Sequence, residues 1–438
     1  MNASAMNFQK AAVSAAFFGT FIEWYDVVIA GIAASTVWPV VFFSAFPPII
    51  SLVLLLFSYT AMYFSRPLAA LIFGHLGDKV GRKSSLIITL LTVGVAMFSI
   101  AALPPYSEIG IAAPALLIAF RFLQGFGIGG EWQGAISWVY ESAKERKGFW
   151  TSLMQAANPI GFGLGPLVFL LIKLSMTGKA FLELGWRIPF VIGGLVVVAG
   201  VVLRLRMIES PEFQALKLSG KVLRTPSLYV WKGFYKYITL GVLISAFPTA
   251  TANLLLNPLG LSYMRELGIP YPVMLLSAVL AGFLGFPFVI LGGLLYDRLK
   301  RVDLPIALGG AGVAIMSYLY FPLLRTRRSI LIVLSAVVVF AFLYIAFGAL
   351  GVALSEMFPV NVRYSGVGWT LQIATLITGL ILSFGVPLLV GASRGLLSAW
   401  PYISTIVFML SLLGIIAALA FLRRDAIGFS GPVSAPKS

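Results

Sequence analysis

The stretch FFGTFIEWYDVVIAG, residues 17–31, is almost wholly apolar yet carries Glu23 and Asp26 three residues apart. A carboxylate held in hydrocarbon costs on the order of 2.5–3.5 kcal/mol by insertion scales. Two of them within one helical turn imply partners and a task, provided the segment crosses a membrane. Composition says that it does. The chain has 438 residues, 60% hydrophobic and 11% charged, with a mean hydropathy of +0.99, whereas soluble domains are about one-quarter charged. So few ionic groups cannot cover so much apolar surface in water, and the bulk of the chain must face lipid. The net charge of +16 does not indicate nucleic acid: a binder gathers its bases in a hydrophilic domain, and here they occupy short gaps between apolar runs. The absence of cysteine excludes structural disulfides and thiol chemistry. MNASAMNFQK at the N-terminus lacks a cleavable-signal pattern, so the first apolar segment is expected to persist as a span.

Membrane-spanning helices need about 20 mostly apolar residues. Twelve are expected: 13–38, 50–72, 85–104, 114–139, 150–173, 187–206, 236–256, 271–295, 304–322, 329–353, 364–390 and 398–422. Their length, without strand-like alternation, argues helices and not a barrel. The expected fold is an all-α integral membrane protein. An even count puts both termini on one side, and Lys and Arg favour that side by about 21 to 8. The bases there include Lys10, the clusters at 79–83, 144–147 and 298–301, seven in 204–236, Arg363, and Arg423, Arg424 and Lys437. By the positive-inside rule both termini are cytoplasmic, and only Arg66 and Arg121 remain well inside spans. The polar stretch 207–235 reads as a cytoplasmic linker between six-helix bundles over 1–206 and 236–438. The halves echo each other: GHLGDKVGRK (74–83) after span two resembles GGLLYDRLKR (292–301) after span eight, and YESAKERKG (140–148) resembles SEMFPVNVRYSG (355–366). Two pseudo-symmetric six-helix bundles are the architecture of carriers that rock around a central site.

GHLGDKVGRK also resembles the signature that the major facilitator superfamily carries between spans two and three. GTFIEWYDVVIAG, SRPLAALIFGHLGD (65–78), RFLQGFGIGGEWQGA (121–135) and ESPEF (209–213) together resemble its metabolite:proton symporter family, with relatives that carry shikimate, 2-oxoglutarate, citrate and proline/betaine. The resemblance runs through both halves, with its most specific motifs in the first; FPTATANLLLNPLG (247–260) in span seven matches none of them. It implies proton-coupled import of a small organic acid or zwitterion by alternating access, in the cell membrane. Proton and metabolite are the implied partners, with membrane lipid around the chain; no nucleic acid, other cofactor or metal is expected, and a six-plus-six carrier can work as a monomer.

Depth gives the two acids partners. Span one runs outward, placing Asp26 near the bilayer centre and Glu23 about one turn nearer the cytoplasm; their spacing puts both on one helix face. Two layers are expected: Asp26 with Arg121 near the middle, and Glu23, Arg66 and Glu131 below. A carboxylate beside an Arg stays ionised, while one stripped of its cation in low dielectric favours the protonated form. If inward and outward states differ in that pairing, Asp26 couples proton movement to rocking. Tyr25-Asp26 also resembles the span-one position of proton-coupled sugar carriers, whose Asp faces an Arg in a span-four pattern that here reads Arg121, Gly125 and Gly127. The bland alternative is a permanent salt bridge between spans one and four. Ionisable groups inside membranes are functional by default, which favours the switch.

Arg66 suits a substrate carboxylate through its guanidinium fork, or pairs structurally with Glu131 or Glu23. Gln155 and Asn158 share one face of span five, as substrate contacts or as helix-to-helix bonds. Tyr25, Trp132, Trp138, Asn253, Asn257, Trp369 and Gln372 are further candidates; aromatics in spans more often pack or face lipid. The GFGIGG run (125–130) lets another helix approach span four closely. Asp78 and Arg82 with Glu141 and Arg146 read as a cytoplasmic gate, and Asp297, Arg298, Glu356 and Arg363 as its counterpart. Such pairs, if exposed, contribute about 0–1 kcal/mol each. His75, the only histidine, lies in the loop motif and so has a gating or structural duty. One His and no Cys argue against a transition-metal site. No nucleophile–base pair or phosphate-cradling loop supports an enzyme or an ATP-driven pump. A competing reading is a proton-coupled exporter: Gly161, Gly165 and Pro166 resemble half of an antiporter signature, which Phe169 and Leu170 then break. A receptor would normally carry a longer signalling tail.

Overall fold

Backbone N–H and C=O groups in hydrocarbon find no water, so each apolar run must close its own hydrogen bonds as a helix. In the computed structural model, which describes residues 3–205, 209, 211–220, 222–223 and 226–422, it does. Twelve helices among the described residues are long and apolar enough to cross a membrane. They are Val13–Thr36, Val53–Lys79, Arg82–Ala102, Ala112–Ser142, Lys147–Ser175, Gly185–Leu205, Pro226–Glu266, Tyr271–Leu299, Asp303–Arg325, Ser329–Glu356, Arg363–Ala392 and Leu396–Phe421, here spans one to twelve. Of the bases counted for orientation, Arg206, Lys221, Arg224, Arg423, Arg424 and Lys437 lie outside the described residues, as do Ser210 and other parts of 207–225.

Span seven departs most from expectation. It begins at Pro226, ten residues before the expected 236; proline suits the first turn of a helix, whose N–H groups have no intrahelical acceptor. The segment before it holds a short helix, Pro211–Leu218. Within span seven a π turn covers Ala252–Leu256. Pro258 then cannot continue the same helix, and Leu259–Glu266 completes the crossing.

Burial marks spans one and seven as the most enclosed. The apolar windows of spans one and seven are 78% and 83% buried, against 39% for spans six and twelve. Spans six and twelve turn Leu195, Val198, Leu412 and Ile416 outward, the surface that lipid covers. Span one packs on spans four, five and six, and span seven on eleven and twelve. Between the halves, span two lies along span eleven and span five along span eight. The glycine run of span four is where span two approaches: a Cβ at Gly125 would fall on the Met62 backbone.

The face where span one starts and span twelve ends, the terminal face, is tied by two matching contacts. Asp78, closing span two, accepts from the Ser365 N–H at 2.9 Å and hydroxyl at 2.7 Å. Asp297, near the end of span eight, accepts from the N–H groups of Gly148 at 2.9 Å and Phe149 at 2.8 Å. Each Asp thus satisfies orphan N–H groups in the first turn of a helix of the other half, where the helix dipole also favours an anion. The echo between 74–83 and 292–301 is a repeated latch.

Candidate functional site

Three buried acid–arginine pairs lie at successive depths beside span one. Nearest the terminal face, Glu131 of span four pairs with Arg204 at the end of span six and accepts from the Thr89 hydroxyl at 2.9 Å. Span one crosses directly over this pair at Gly19, where a Cβ would collide with both side chains. Next, Glu23 meets Arg66 of span two at 3.4 Å. One turn further, Asp26 meets Arg121 of span four at 3.3 Å, and its other oxygen accepts from Gln124. Arg121 in turn donates to the Gln124 side-chain oxygen and to the Tyr59 carbonyl.

This corrects two expectations. Arg204, counted with the cytoplasmic bases, is fully buried, so Arg66 and Arg121 are not the only arginines inside spans. Glu131 does not share Arg66 with Glu23, because Arg204 reaches it from span six and donates to both of its oxygens. A buried carboxylate requires a cation and filled lone pairs, and that requirement is the signal in the sequence for which Arg204, in the last turn of span six, was the available answer.

The three pairs differ in completeness. Both oxygens of Asp26 and of Glu131 accept hydrogen bonds. Nε is without a partner in Arg66, Arg121 and Arg204 alike, but of the three acids only Glu23 has a carboxylate oxygen, Oε2, with no hydrogen-bond partner, and Glu23 and Arg66 line a cavity between the halves. Span one adds Trp24 and Val27 to its wall, span two Tyr63, span four Trp132, span seven Thr249 and Asn253, span ten Phe347, and span eleven Leu371, Thr375 and Thr378. The indole N–H groups of Trp24 and Trp132 are likewise unpartnered. As closed, the cavity offers about 20 Å³ to the centre of a water molecule, room for one or two waters, so a metabolite requires its walls to part. On the side away from the terminal face it is sealed by Asn253, set on the π turn of span seven. The Asn253 side-chain oxygen accepts from Tyr59 at 2.8 Å and Tyr63 at 2.9 Å, tying span two to span seven.

The other sequence candidates fall elsewhere. Tyr25 donates to the Pro189 carbonyl at 3.0 Å, within the first half. Gln155 donates to the Gly348 carbonyl at 3.3 Å, Asn257 to the Val27 carbonyl at 3.3 Å, and Gln372 to Gln133 at 3.0 Å, each bonding one half to the other. Asn158 accepts from Tyr344 at 2.8 Å. Trp369 packs edge-on against Trp231, away from the cavity. Trp138 is buried among apolar neighbours. His75 lies in the last turns of span two, half-buried.

At the terminal face Arg82 bridges Asp78 at 3.3 Å and Glu141 at 3.1 Å. Arg363, from the other half, joins Glu141 at 3.1 Å and Glu212 of the short helix at 2.8 Å. Phe213 of the ESPEF motif lies under the Arg82 guanidinium, 4.4 Å from ring centroid to Cζ. Arg146 instead covers Phe149, Arg298 is exposed, and Glu356 accepts from Tyr296. Asp78, Arg82 and Glu141 are buried and not exposed, so the 0–1 kcal/mol of surface pairs does not apply; stranding one partner of a buried pair costs about 3–5 kcal/mol.

Known proteins share the family and the fold. The sequence pattern of the Major Facilitator Superfamily matches residues 16–383. The inner membrane metabolite transport protein YhjE of Escherichia coli K12 is 31% identical over 379 residues, covering 85% of this chain and 86% of that protein. The proline/betaine transporter of the same strain is 31% identical over 388 residues, covering 85% and 76%. Among solved structures, the proton:xylose symporter XylE bound to 6-bromo-6-deoxy-D-glucose superposes with a TM-score of 0.78 at 18% identity, covering 95% and 96%. The chain, with twelve spans among its described residues, is therefore a multi-pass metabolite transporter that belongs to the Major Facilitator Superfamily.

Proposed function

We propose that this chain is a proton-coupled symporter that imports a small organic acid or zwitterion, with both termini cytoplasmic and with residues 1–206 and 236–438 rocking about the central cavity. One observation carries the reading: the Glu23–Arg66 pair, alone of the three, lines that cavity and leaves a carboxylate oxygen without a partner. An incoming carboxylate can replace Glu23 on the Arg66 fork. Glu23, left without its cation in a low-dielectric cavity, then takes a proton. Substrate and proton load together because the substrate carboxylate displaces Glu23 from the guanidinium and the displaced Glu23 carboxylate takes the proton. Asp26, both of whose oxygens accept hydrogen bonds, and Arg121 hold span one to span four one turn away and form the second proton-coupling layer, with Glu131 and Arg204 nearest the terminal face. Asp78, Arg82, Glu141 and Arg363 close the cytoplasmic gate, while the basic side chains on the terminal face set its orientation. The proline/betaine transport of a relative fits a carboxylate-binding arginine.

The test is uptake into proteoliposomes with an inward proton gradient, using labelled carboxylates and zwitterions. Glu23→Gln should abolish gradient-driven accumulation while downhill exchange continues, and Arg66→Gln should abolish both. Accumulation preserved in Glu23→Gln but lost in Asp26→Asn would move the proton site to the Asp26–Arg121 pair. Uptake indifferent to the gradient in the wild type would end the symport reading.

A further inference from the structure

Beside the charged cavity lies a second one that shares Trp24, Thr249 and Phe347 with it. Its remaining wall includes Phe162, Pro248, Phe340 and Tyr344, and no carboxyl or basic side chain lines it. Asn158 and Tyr344, its amide and phenol, are hydrogen-bonded to each other at 2.8 Å. Between the two chambers stand the rings of Trp24 and Phe347, edge to face with centroids 5.9 Å apart. Trp24 belongs to span one, Phe347 to span ten and the third shared residue, Thr249, to span seven, so the partition is built from both halves and parts when the halves move.

We infer that the binding site is bipartite and that its substrate is a monocarboxylate with an apolar body: the carboxylate on Arg66, the body behind Trp24 and Phe347 in the second chamber. This rests on the symport reading above and names its substrate class. Charge balance points the same way. The first chamber holds one acid and one base, so a single carboxylate accompanied by a proton on Glu23 leaves it neutral. A second carboxylate, or the hydroxyls of a polyol acid, would enter the apolar chamber with few partners, and burying an unbonded polar group is unfavourable. A compact zwitterion would leave that chamber unfilled.

Binding decides it, because apolar weak acids cross bilayers unaided and blur uptake. The purified full chain in detergent is titrated with acetate, phenylacetate, succinate, shikimate and glycine betaine, followed by calorimetry. Phenylacetate should bind about 10- to 100-fold more tightly than acetate, the gain for burying a ring of that size. Ala252→Leu and Phe162→Trp, which fill the second chamber, should each lower the phenylacetate-to-acetate ratio by at least about tenfold; having two variants keeps the test alive if one misfolds. Arg66→Gln should weaken both acids alike. Phenylacetate no tighter than acetate, or a ratio unmoved in both folded variants, overturns the bipartite site. Tighter binding of succinate, shikimate or betaine that still requires Arg66 overturns the apolar-body assignment and leaves the symport reading standing. Carboxylate binding indifferent to Arg66→Gln removes the reading on which both rest.

Discussion

Replacing Asp297 by alanine tests whether the terminal-face latches set the conformational balance. Asp297 accepts two backbone N–H groups from the first turn of span five, at 2.9 and 2.8 Å, and these belong to the other half of the molecule. Hydrogen bonds to a charged group contribute about 1.5–3 kcal/mol each. Asp297 is only half-buried, so water regains part of that when the latch opens, and a net of ~2 kcal/mol is a fair magnitude. The bonds exist only while this face is closed, so Asp297→Ala should raise the open-to-closed ratio about 30-fold. An open population of about 1 in 100 would become about a quarter of the molecules. Because the chain has no cysteine, spin labels at Lys144→Cys and Leu299→Cys, both exposed and on opposite halves, go in without background. Pulsed electron–electron resonance should then show a longer-distance population in Asp297→Ala and a smaller one in Asp297→Asn, which keeps a neutral acceptor. Asp78→Ala, acting on the matching latch, should do the same. Distance distributions that superpose on the wild type in both alanine variants would refute the latch.

Arg204→Met strands the Glu131 carboxylate in the core and should destabilise the protein by about 3–5 kcal/mol, whereas adding Glu131→Leu should restore most of it; thermal unfolding in detergent reads both. Gly125→Leu forces side-chain atoms onto the Met62 backbone and should cost about 1–3 kcal/mol by overpacking, seen as a lowered melting temperature. Asn253→Leu removes the acceptor shared by Tyr59 and Tyr63, leaving the two hydroxyls only their long 3.5 Å contact with each other, at a cost of about 1–3 kcal/mol. It should loosen the seal opposite the latches, so that Val27→Cys in the cavity wall reacts several-fold faster with a polar maleimide added from that side.

Spans were legible because twenty-residue apolar runs have one stable form in lipid, and the Asp26–Arg121 pair because each residue's depth follows from span direction and a rise of about 1.5 Å per residue. The linker's end was not legible: Pro226–Tyr235 is mixed in polarity and becomes helix only by continuing into span seven. Arg204 was hidden by lying in the last turn of its span, where a basic residue looks like an orientation signal, and depth alone does not say whether it points inward. Trp24 was hidden between two acids; its place on the partition depends on Phe347, 323 residues away, and no local pattern carries that. Tyr25, beside it in sequence, has the opposite fate because successive residues on a helix face about 100° apart.

The same helices carry both the cavity and the latch. Span two holds Tyr59 and Tyr63 on the seal, Arg66 on the cavity, and Asp78 on the latch; from Arg66 to Asp78 is about 18 Å of continuous helix. Span eleven, packed along it, carries the latch partner Ser365 and the cavity residues Thr375 and Thr378. Ser383, further along span eleven, bonds Thr60 of span two beyond the cavity. A rigid rotation of one helix against the other therefore cannot part the Asp78–Ser365 contact without changing how Arg66 faces span eleven. In the proposed cycle, a substrate carboxylate bound at Arg66 acts on the latch through this lever. No chain of side-chain rearrangements is needed between the two. The charge pairs of the first half travel with the lever, since span four is locked to span two at Gly125 and to span one by Asp26 and Arg121. In the proposed cycle it is the interface between halves that changes, and Glu23–Arg66 is the acid–arginine pair that lines the cavity there.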